Sequence, residues 1–388
     1  MPWPHGGSGT EESPYLVPNA DALDDVRDYM GAGVYFRQTA DISLADYQEG
    51  EGWVPIPPFY GEYNGDGHKV SGLRITRNAT YNALFARSYG HIKNIKADDF
   101  VMVLGEGGSY NQSAYSSGIA ARTYSGSHIE NCRLGSPYSS GLTLYSTSAN
   151  MYYGGIVGRA DGGSITDCFC HVTIGLEGNA NGVYERGGGL CGDNRVPIVR
   201  SGAMGHLKCR TVGGGFVGRV THSISDSFCF VNTEAGLASA DAVGFAGLAS
   251  GSNRSIDRSY YGGELTGDTK TGFANTAAEP NDVKVNDCFW DTETSGTEND
   301  GIETGTTGLT SAQMKDSSNF TNFDFDDVWF MLTAAEINAL HPGYGSAAYA
   351  ALPESVKDRP WLQSLSDVII EGITPGSALN PLFMFAGL

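Results

Sequence analysis

The chain is poor in basic residues: 24 Lys and Arg stand against 44 Asp and Glu in 388 residues, a formal net charge of -20. Nucleic acids and anionic membranes are polyanions that bind basic surfaces, so both are excluded as primary partners. No apolar run approaches the roughly 18 residues that span a bilayer. Pro is sparse at 15, and the glycines keep no G-X-Y register, so a collagen-like fibre is excluded. The opening Met1-Pro-Trp-Pro-His-Gly-Gly7 has neither a basic nor an apolar signal region. The expectation is therefore a chain without a signal peptide that folds first in the cytoplasm. G-x-S-x-G, H-E-x-x-H, Walker A and Rossmann motifs are all absent.

Cysteine is scarce as well, with 7 residues at 132, 168, 170, 191, 209, 229 and 288 and no C-x-x-C. Zinc-ribbon and thioredoxin readings fail on that spacing. The thiols read as buried, reduced small hydrophobes.

Glycine is abundant, 54 of 388 residues, twice the usual share of about 7%. An interior helical Gly costs about 1 kcal/mol, so long helices are ruled out. An aromatic content of 11% rules out a disordered chain. What remains is a turn-rich, largely β protein with a substantial core.

One segment recurs: an apolar residue, one or two small residues, often Arg, then a gap and I-x-[N/D]-[C/S]. It reads Leu84-Phe-Ala-Arg87 with Ile92, Ile119-Ala-Ala-Arg122 with Ile129-Glu-Asn-Cys132, and Ile156-Val-Gly-Arg159 with Ile165-Thr-Asp-Cys168. Further copies are Phe216-Val-Gly-Arg219, Phe245-Ala-Gly-Leu248 and Phe273, and a degenerate one begins Leu190-Cys-Gly-Asp193. Starts at 84, 119, 156, 190, 216, 245 and 273 give intervals of 26 to 37 residues, the drifting period of a solenoid with loops of variable length. Stacked copies form ladders about 4.8 Å apart. Cys132, Cys168, Ser227, Ser259 and Cys288 would then share one corner, and Leu134, Cys170, Cys229, Tyr261 and Trp290 a second column.

These repeats resemble the glycine-rich GLUG motif of bacterial surface and phage-associated proteins. The likeness covers residues 9–329. It rests on Gly9-Thr-Glu-Glu-Ser-Pro-Tyr-Leu-Val17 at the opening, Tyr60-Gly-Glu-Tyr-Asn-Gly-Asp-Gly67 at the first coil, and Cys288-Phe-Trp-Asp-Thr-Glu-Thr-Ser-Gly296 at the close. The resemblance implies an all-β fold, a right-handed parallel β-helix (β-solenoid), and a surface role without one biochemical activity. Residues 189–210 depart from the pattern and read as an insertion.

Three regions are expected: an N-terminal capping strand and helix (1–59), the glycine-rich repeats (60–329) and a helical docking or capping segment (330–388). Asn19 is positioned to cap a helix running to about Met30. Helical spacing recurs over 333–340, 346–352 and 359–371. The apolar end, with Leu382, Phe383 and Phe385, is costly in water and reads either as a cap on the last coil or as a docking tip for a partner.

The scaffold offers several candidate sites. Arg87, Arg122, Arg159 and Arg219 hold the same place in four repeats. They form either a cationic rail for a sulfated or carboxylated glycan or braces for their own turns, with Asp167, Asp226 or Asp257 as partners. The tyrosine-rich stretch 110–153, with Tyr115, Tyr124, Tyr138 and Tyr145, reads as a binding surface or as a decorated loop. Phe169, Phe228, Tyr260 and Phe289 are either sugar platforms or packing under a lateral cover. Asp291–Ile302 mimics an EF-hand loop but has Ile302 where a bidentate Glu is required. The adjacent aspartates Asp98-Asp99 and Asp326-Asp327 point to opposite faces if on strands and make poor acid/base pairs.

The expected protein is thus a structural, adhesive surface component, most simply a phage tail fibre, spike or decoration protein, extracellular or on a virion. Its partners would be a surface glycan or receptor, other virion or appendage subunits, and further copies of itself. No enzyme activity, catalytic residue, metal or cofactor is expected. The alternatives are a polysaccharide-degrading β-helix lyase or hydrolase and a bacterial cell-surface adhesin.

Overall fold

A computed structural model describes residues 3–77, 79–105, 114–147, 151–176, 185–236, 240–250, 254–276, 283–302 and 304–375. The chain winds as a parallel β-helix. Each full coil contributes strands in turn to two seven-stranded sheets, a ten-stranded sheet and a fifteen-stranded sheet. These are called here sheets 3, 4, 1 and 2. One complete coil runs through Ala114–Ser116 (sheet 3), Ala120–Thr123 (sheet 4), His128–Glu130 (sheet 1) and Arg133–Ser136 (sheet 2).

The recurring Ile builds the ladder that holds the coils in register. Tyr63, Ile92, Ile129, Ile165, Ile198, Ile224, Ile256 and Val285 pair successively along sheet 1. All are buried in one continuous core. Fully burying each such side chain is worth about 1.5–3 kcal/mol, and a one-residue slip would turn the whole ladder outward.

Two residues beyond each Ile the backbone turns sharply into sheet 2, and the turning residue takes a left-handed conformation. Asn94, Asn131, Asp167, Arg200, Asp226, Arg258 and Asp287 all have φ between 44° and 57°. Asn and Asp tolerate this region best because their short side chains bond locally. Asn94 donates to Asn64 at 2.9 Å and Asn131 to Asn94 at 2.8 Å. Farther on, Arg200 clasps Asp167 at 2.8 and 2.7 Å.

The next column is the cysteine corner. Backbone N–H groups of Cys168, Ser201 and Ser227 donate to the hydroxyls of Ser201, Ser227 and Ser259. All seven cysteines are buried free thiols. Ser201 fills the slot of the degenerate copy. Residues 189–210 are therefore no insertion: Cys191–Asn194, Ile198–Val199 and Gly202–Cys209 pair in register with the coils on either side. The tyrosine-rich stretch is likewise ordinary coil where it is described.

At the N-terminus Asn19 caps a helix, accepting from Ala22 N–H at 2.9 Å. The helix spans only Ala20–Asp25 and tightens into a 3₁₀ turn, Val26–Asp28. Its Ala22 and Leu23 enter the main core. Coiling starts before residue 60, because Tyr15–Val17 and Tyr35–Gln38 already belong to sheet 1.

The last rung of sheet 2 is Thr306–Leu309. The chain then folds back along the outer side of sheet 2 and builds a second core with Phe169, Phe228, Tyr260 and Phe289. These four aromatics are therefore packing under a cover. Trp361 lies 4.3 Å from Phe228 between ring centroids, and Arg359 reaches buried Asp291 at 2.6 Å. Thr333 caps Ala334–Leu340, and Gly345–Ala351 is helical as expected. The helical reading of 359–371 needs correction. Pro360–Leu362 is a strand pairing antiparallel with Trp329–Met331, which places Trp361 against sheet 2, and only Asp367–Ile370 is α-helical. The described part of the C-terminal segment thus covers a side of the solenoid. Leu382, Phe383 and Phe385 lie outside the described residues. No helix among the described residues is long and apolar enough to cross a membrane.

Candidate functional site

The Arg row exists and its origin is local. Strands of sheets 3 and 4 meet at a tight bend. A Cβ on Gly158 would stand 2.7 Å from the Ala121 carbonyl oxygen and 2.9 Å from that of Tyr152. Gly158 stands before Arg159 because the two backbones touch there, whereas Ala86 and Ala121 hold the equivalent place before Arg87 and Arg122. The Arg side chain then leaves on the outer side of the bend, and register aligns Arg87, Arg122 and Arg159 on successive rungs.

Two tyrosine ladders flank the row. Tyr81, Tyr115 and Tyr152 stack at 5.4 and 5.2 Å between ring centroids, nearly parallel. Tyr60, Tyr89 and Tyr124 stack at 4.7 and 4.5 Å. Arg87 lies over Tyr81 at 5.2 Å, Arg159 over Tyr152 at 5.2 Å, and Arg122 between Tyr115 at 5.0 Å and Tyr124 at 4.8 Å. Such contacts are worth about 0.5–2 kcal/mol each, more where water is excluded. Burial, assisted by the neighbouring Tyr81 hydroxyl, raises the pKa of Tyr124 to about 12. The Tyr124 hydroxyl therefore stays a protonated donor at neutral pH.

The charges along the row are unequally matched. Arg122 Nε and Arg159 Nε both reach Asp161, at 2.6 and 2.9 Å. Burial works against the Arg122 charge, but the Asp161 carboxylate more than offsets it and raises its pKa. Asp193 approaches Arg159 at 3.7 Å. These are braces, although Asp167, Asp226 and Asp257 are not the partners: the first two are taken by Arg200 and Arg258 at the other corner, and Asp257 accepts from Ser255 and Asn286. Arg87 differs. No carboxylate among the described residues pairs with it, and its buried Nε has no acceptor.

The other expected site residues separate from this face. Arg219 is in register but two rungs beyond Arg159, past Asp193, and donates to Ser250 at 3.2 Å. Tyr138 bonds the Ile369 carbonyl and anchors the C-terminal segment. Tyr145 is exposed on sheet 2, in register with exposed Val103. Tyr152 belongs to the tyrosine-rich stretch read in the sequence and Tyr60 to the first-coil segment, but Tyr81 and Tyr89 were not singled out. Tyr81, Tyr115 and Tyr152 precede the repeat starts at 84, 119 and 156 by three or four residues, which is the signal that aligns them.

The calcium-like loop is also accounted for. Asp291 caps a short helix, accepting from Glu293 and Thr294 N–H, and bonds Ser311 and Arg359. An Arg occupies the place a cation would need. Among the described residues no group of three or more His, Cys, Asp or Glu side chains is arranged to hold a metal.

No protein-family model matches the chain. A stretch of 110 residues, 26% of this chain, is 38% identical to a "Putative Gly-rich membrane protein" of Evansella cellulosilytica. Over 288 residues, 71% of this chain, it is 25% identical to Halomucin of Haloquadratum walsbyi. The matches span only 13% and 3% of those relatives. The crystal structure of a "putative immunoglobulin A1 protease" from Bacteroides ovatus aligns at a TM-score of 0.42 and 16% identity, over 84% of this chain and 91% of that one. The β-helix assignment stands on the strand pairing of this chain itself.

Proposed function

We propose that the chain is a structural module of a surface protein, and that the face carrying Arg87, Arg122 and Arg159 between the tyrosine ladders binds an acidic glycan. The observation that carries this reading is Arg87. In a chain with 44 acidic residues, its guanidinium stands in an aromatic row without a carboxylate partner among the described residues. A planar fork held that way suits bidentate contact with a carboxylate or sulfate. Tyrosine hydroxyls beside it supply donors to sugar oxygens. The ring faces are consumed in stacking on one another, so the face offers edges and hydroxyls rather than platforms.

The surface setting is supported by the relatives, one of which is named as a membrane protein. A phage tail fibre, spike or decoration protein is one setting in which such a module would serve. The reading is of a binder and scaffold without hydrolytic chemistry.

Binding of polygalacturonate, dextran sulfate and neutral dextran tests it. The charged polymers are expected to bind and the neutral one not. Arg87→Gln should weaken binding roughly tenfold, and the Arg122→Ala/Arg159→Ala pair should abolish it. Unchanged binding in these variants overturns the reading, and new reducing ends from polygalacturonate would convert it to an enzyme.

A further inference from the structure

On a different side of the coil lies a second group of cations. Sheet 2 carries Lys69, Lys96 and Arg133 at equivalent positions on three successive rungs. Their backbones are about 4.8 Å apart, so the three charges repel unless something negative lies between them. All three line one cleft of 390 Å³, bounded on the far side by Ala351, Glu371, Gly372 and Ile373 of the C-terminal segment. That volume falls in the range of about 300–1,000 Å³ typical of small-molecule sites.

The column changes character along its length. On the following rungs the same position holds Phe169, Gly202, Phe228, Tyr260 and Phe289, covered by the second core. Where the cover ends, the column becomes cationic. Tyr138, bonded to the Ile369 carbonyl, marks that boundary.

Asp98 and Glu371 also line the cleft, two carboxylates against three cations, but among the described residues neither forms a close ion pair with Lys96 or Arg133. Lys69 meets Asp98 only at 3.8 Å. Arg133, whose side chain is 7% accessible, has a long 3.7 Å contact to Asp367, itself 66% exposed. Its remaining contact is to the Asn131 amide oxygen at 3.3 Å. Lys96, between the two, has no carboxylate partner among the described residues. A nearly buried guanidinium with so loose a counter-ion is costly unless a tighter one arrives.

We infer that this cleft binds the anionic oxo group, carboxylate or sulfate, of a small acidic ligand, with Lys96 and Arg133 as its charge partners and Ser136 and Ser139 as hydroxyl donors. The site is separate from the Arg87 face and does not depend on it. An acidic sugar and a free inorganic anion share this chemistry.

Calorimetric titration with galacturonate, repeated with sulfate as competitor, tests the inference. Both anions are expected to bind and to displace one another, while neutral galactose gives no heat. Lys96→Gln should weaken both roughly tenfold or more. Lys284→Gln, removing an exposed cation on sheet 1, should leave both unchanged. Arg87→Gln should also leave them unchanged while weakening polygalacturonate, which separates failure of this site from failure of the glycan face. Absence of binding at millimolar anion overturns the inference, as does equal affinity in Lys96→Gln or equal loss in Lys284→Gln.

Discussion

Arg258 grips Asp226 on the neighbouring coil with both ends of its fork, Nε to Oδ1 at 2.7 Å and Nη2 to Oδ2 at 2.8 Å, while its own backbone stands at φ 44°. The pair secures a turn that Arg by itself disfavours. A non-glycine residue in the left-handed region costs about 1–2 kcal/mol. The bidentate contact, partly exposed to solvent, returns a similar amount.

Arg258→Ala is expected to lose the contact and keep the strain, and Arg258→Gly to lose the contact and the strain together. Urea unfolding should place the Gly variant about 1–2 kcal/mol above the Ala variant. Equal midpoints would show that the corner backbone is not strained.

The thiols give a second expectation. Burial raises the pKa of Cys168, Cys170, Cys191, Cys209, Cys229 and Cys288, and only thiolate attacks a disulfide reagent. The native protein should remain unlabelled at about pH 8, and all seven cysteines should react in denaturant. Cys168→Ser should cost less than about 1 kcal/mol, because Ser201 and Ser227 already stand in that column and donate to backbone carbonyls at 3.0 and 2.9 Å. Cys191→Ser, between Val157 and Val217, should cost about 1–3 kcal/mol.

Acid should release the C-terminal segment. Burial pushes the Asp291 pKa up, but the Thr294 N–H, Arg359 and Ser311 together outweigh it, and the folded value lies below the ordinary one. A depressed folded pKa contributes stability that is complete above the unfolded value of about 3.9 and is lost as pH falls through the folded value. Fluorescence of Trp329 and Trp361, both buried in this segment, should therefore change below about pH 4. Asp291→Asn keeps the helix cap and strands Arg359. It should cost about 3–5 kcal/mol and expose the segment to protease at neutral pH. Retention of protease resistance would show that the ion pair does not hold the cover.

Ala86 and Ala121 carry a methyl group at this place in the bend between sheets 3 and 4, but Gly158 has no room for one. Gly158→Ala drives a Cβ against the carbonyl oxygens of Ala121 and Tyr152, with an expected loss of about 1–3 kcal/mol. Gly67→Ala, which meets no atom within 4 Å but sits at φ 77°, should lose about 1–2 kcal/mol from backbone strain alone. Solvent-exposed amide exchange should rise on sheets 3 and 4 only in the Gly158 variant.

Much of the fold was legible because a solenoid is specified rung by rung. The Ile of I-x-[N/D]-[C/S], the left-handed residue after it and the Cys or Ser corner recur in sequence, and each recurrence reports a nearest-neighbour contact in space. The Arg row was visible for the same reason. The partners of Arg122 and Arg159 were not. The sequence suggested Asp167, Asp226 or Asp257, residues of sheet 1 and its corner, whereas Asp161 serves both. Which carboxylate reaches which cation depends on the angle between sheets, which no repeat records. The degenerate copy at 189–210 was misread because its signature changes, although its backbone does not. Its Ser201 hydroxyl meets the Cys168 N–H as its neighbours do.

The sequence by itself determined the stacked coils, the N-terminal cap and the buried thiols, since each rests on local spacing and on burial of periodic apolar side chains. Only the tertiary structure decided that Phe169, Phe228, Tyr260 and Phe289 lie under a folded-back segment, that Arg87 has no counter-charge among the described residues, and that Lys69, Lys96 and Arg133 share one cleft. Those facts arise from contacts between the C-terminal segment and distant rungs, or between different sheets of one coil. They depend on how the chain returns upon itself, and no local pattern of residues encodes that return.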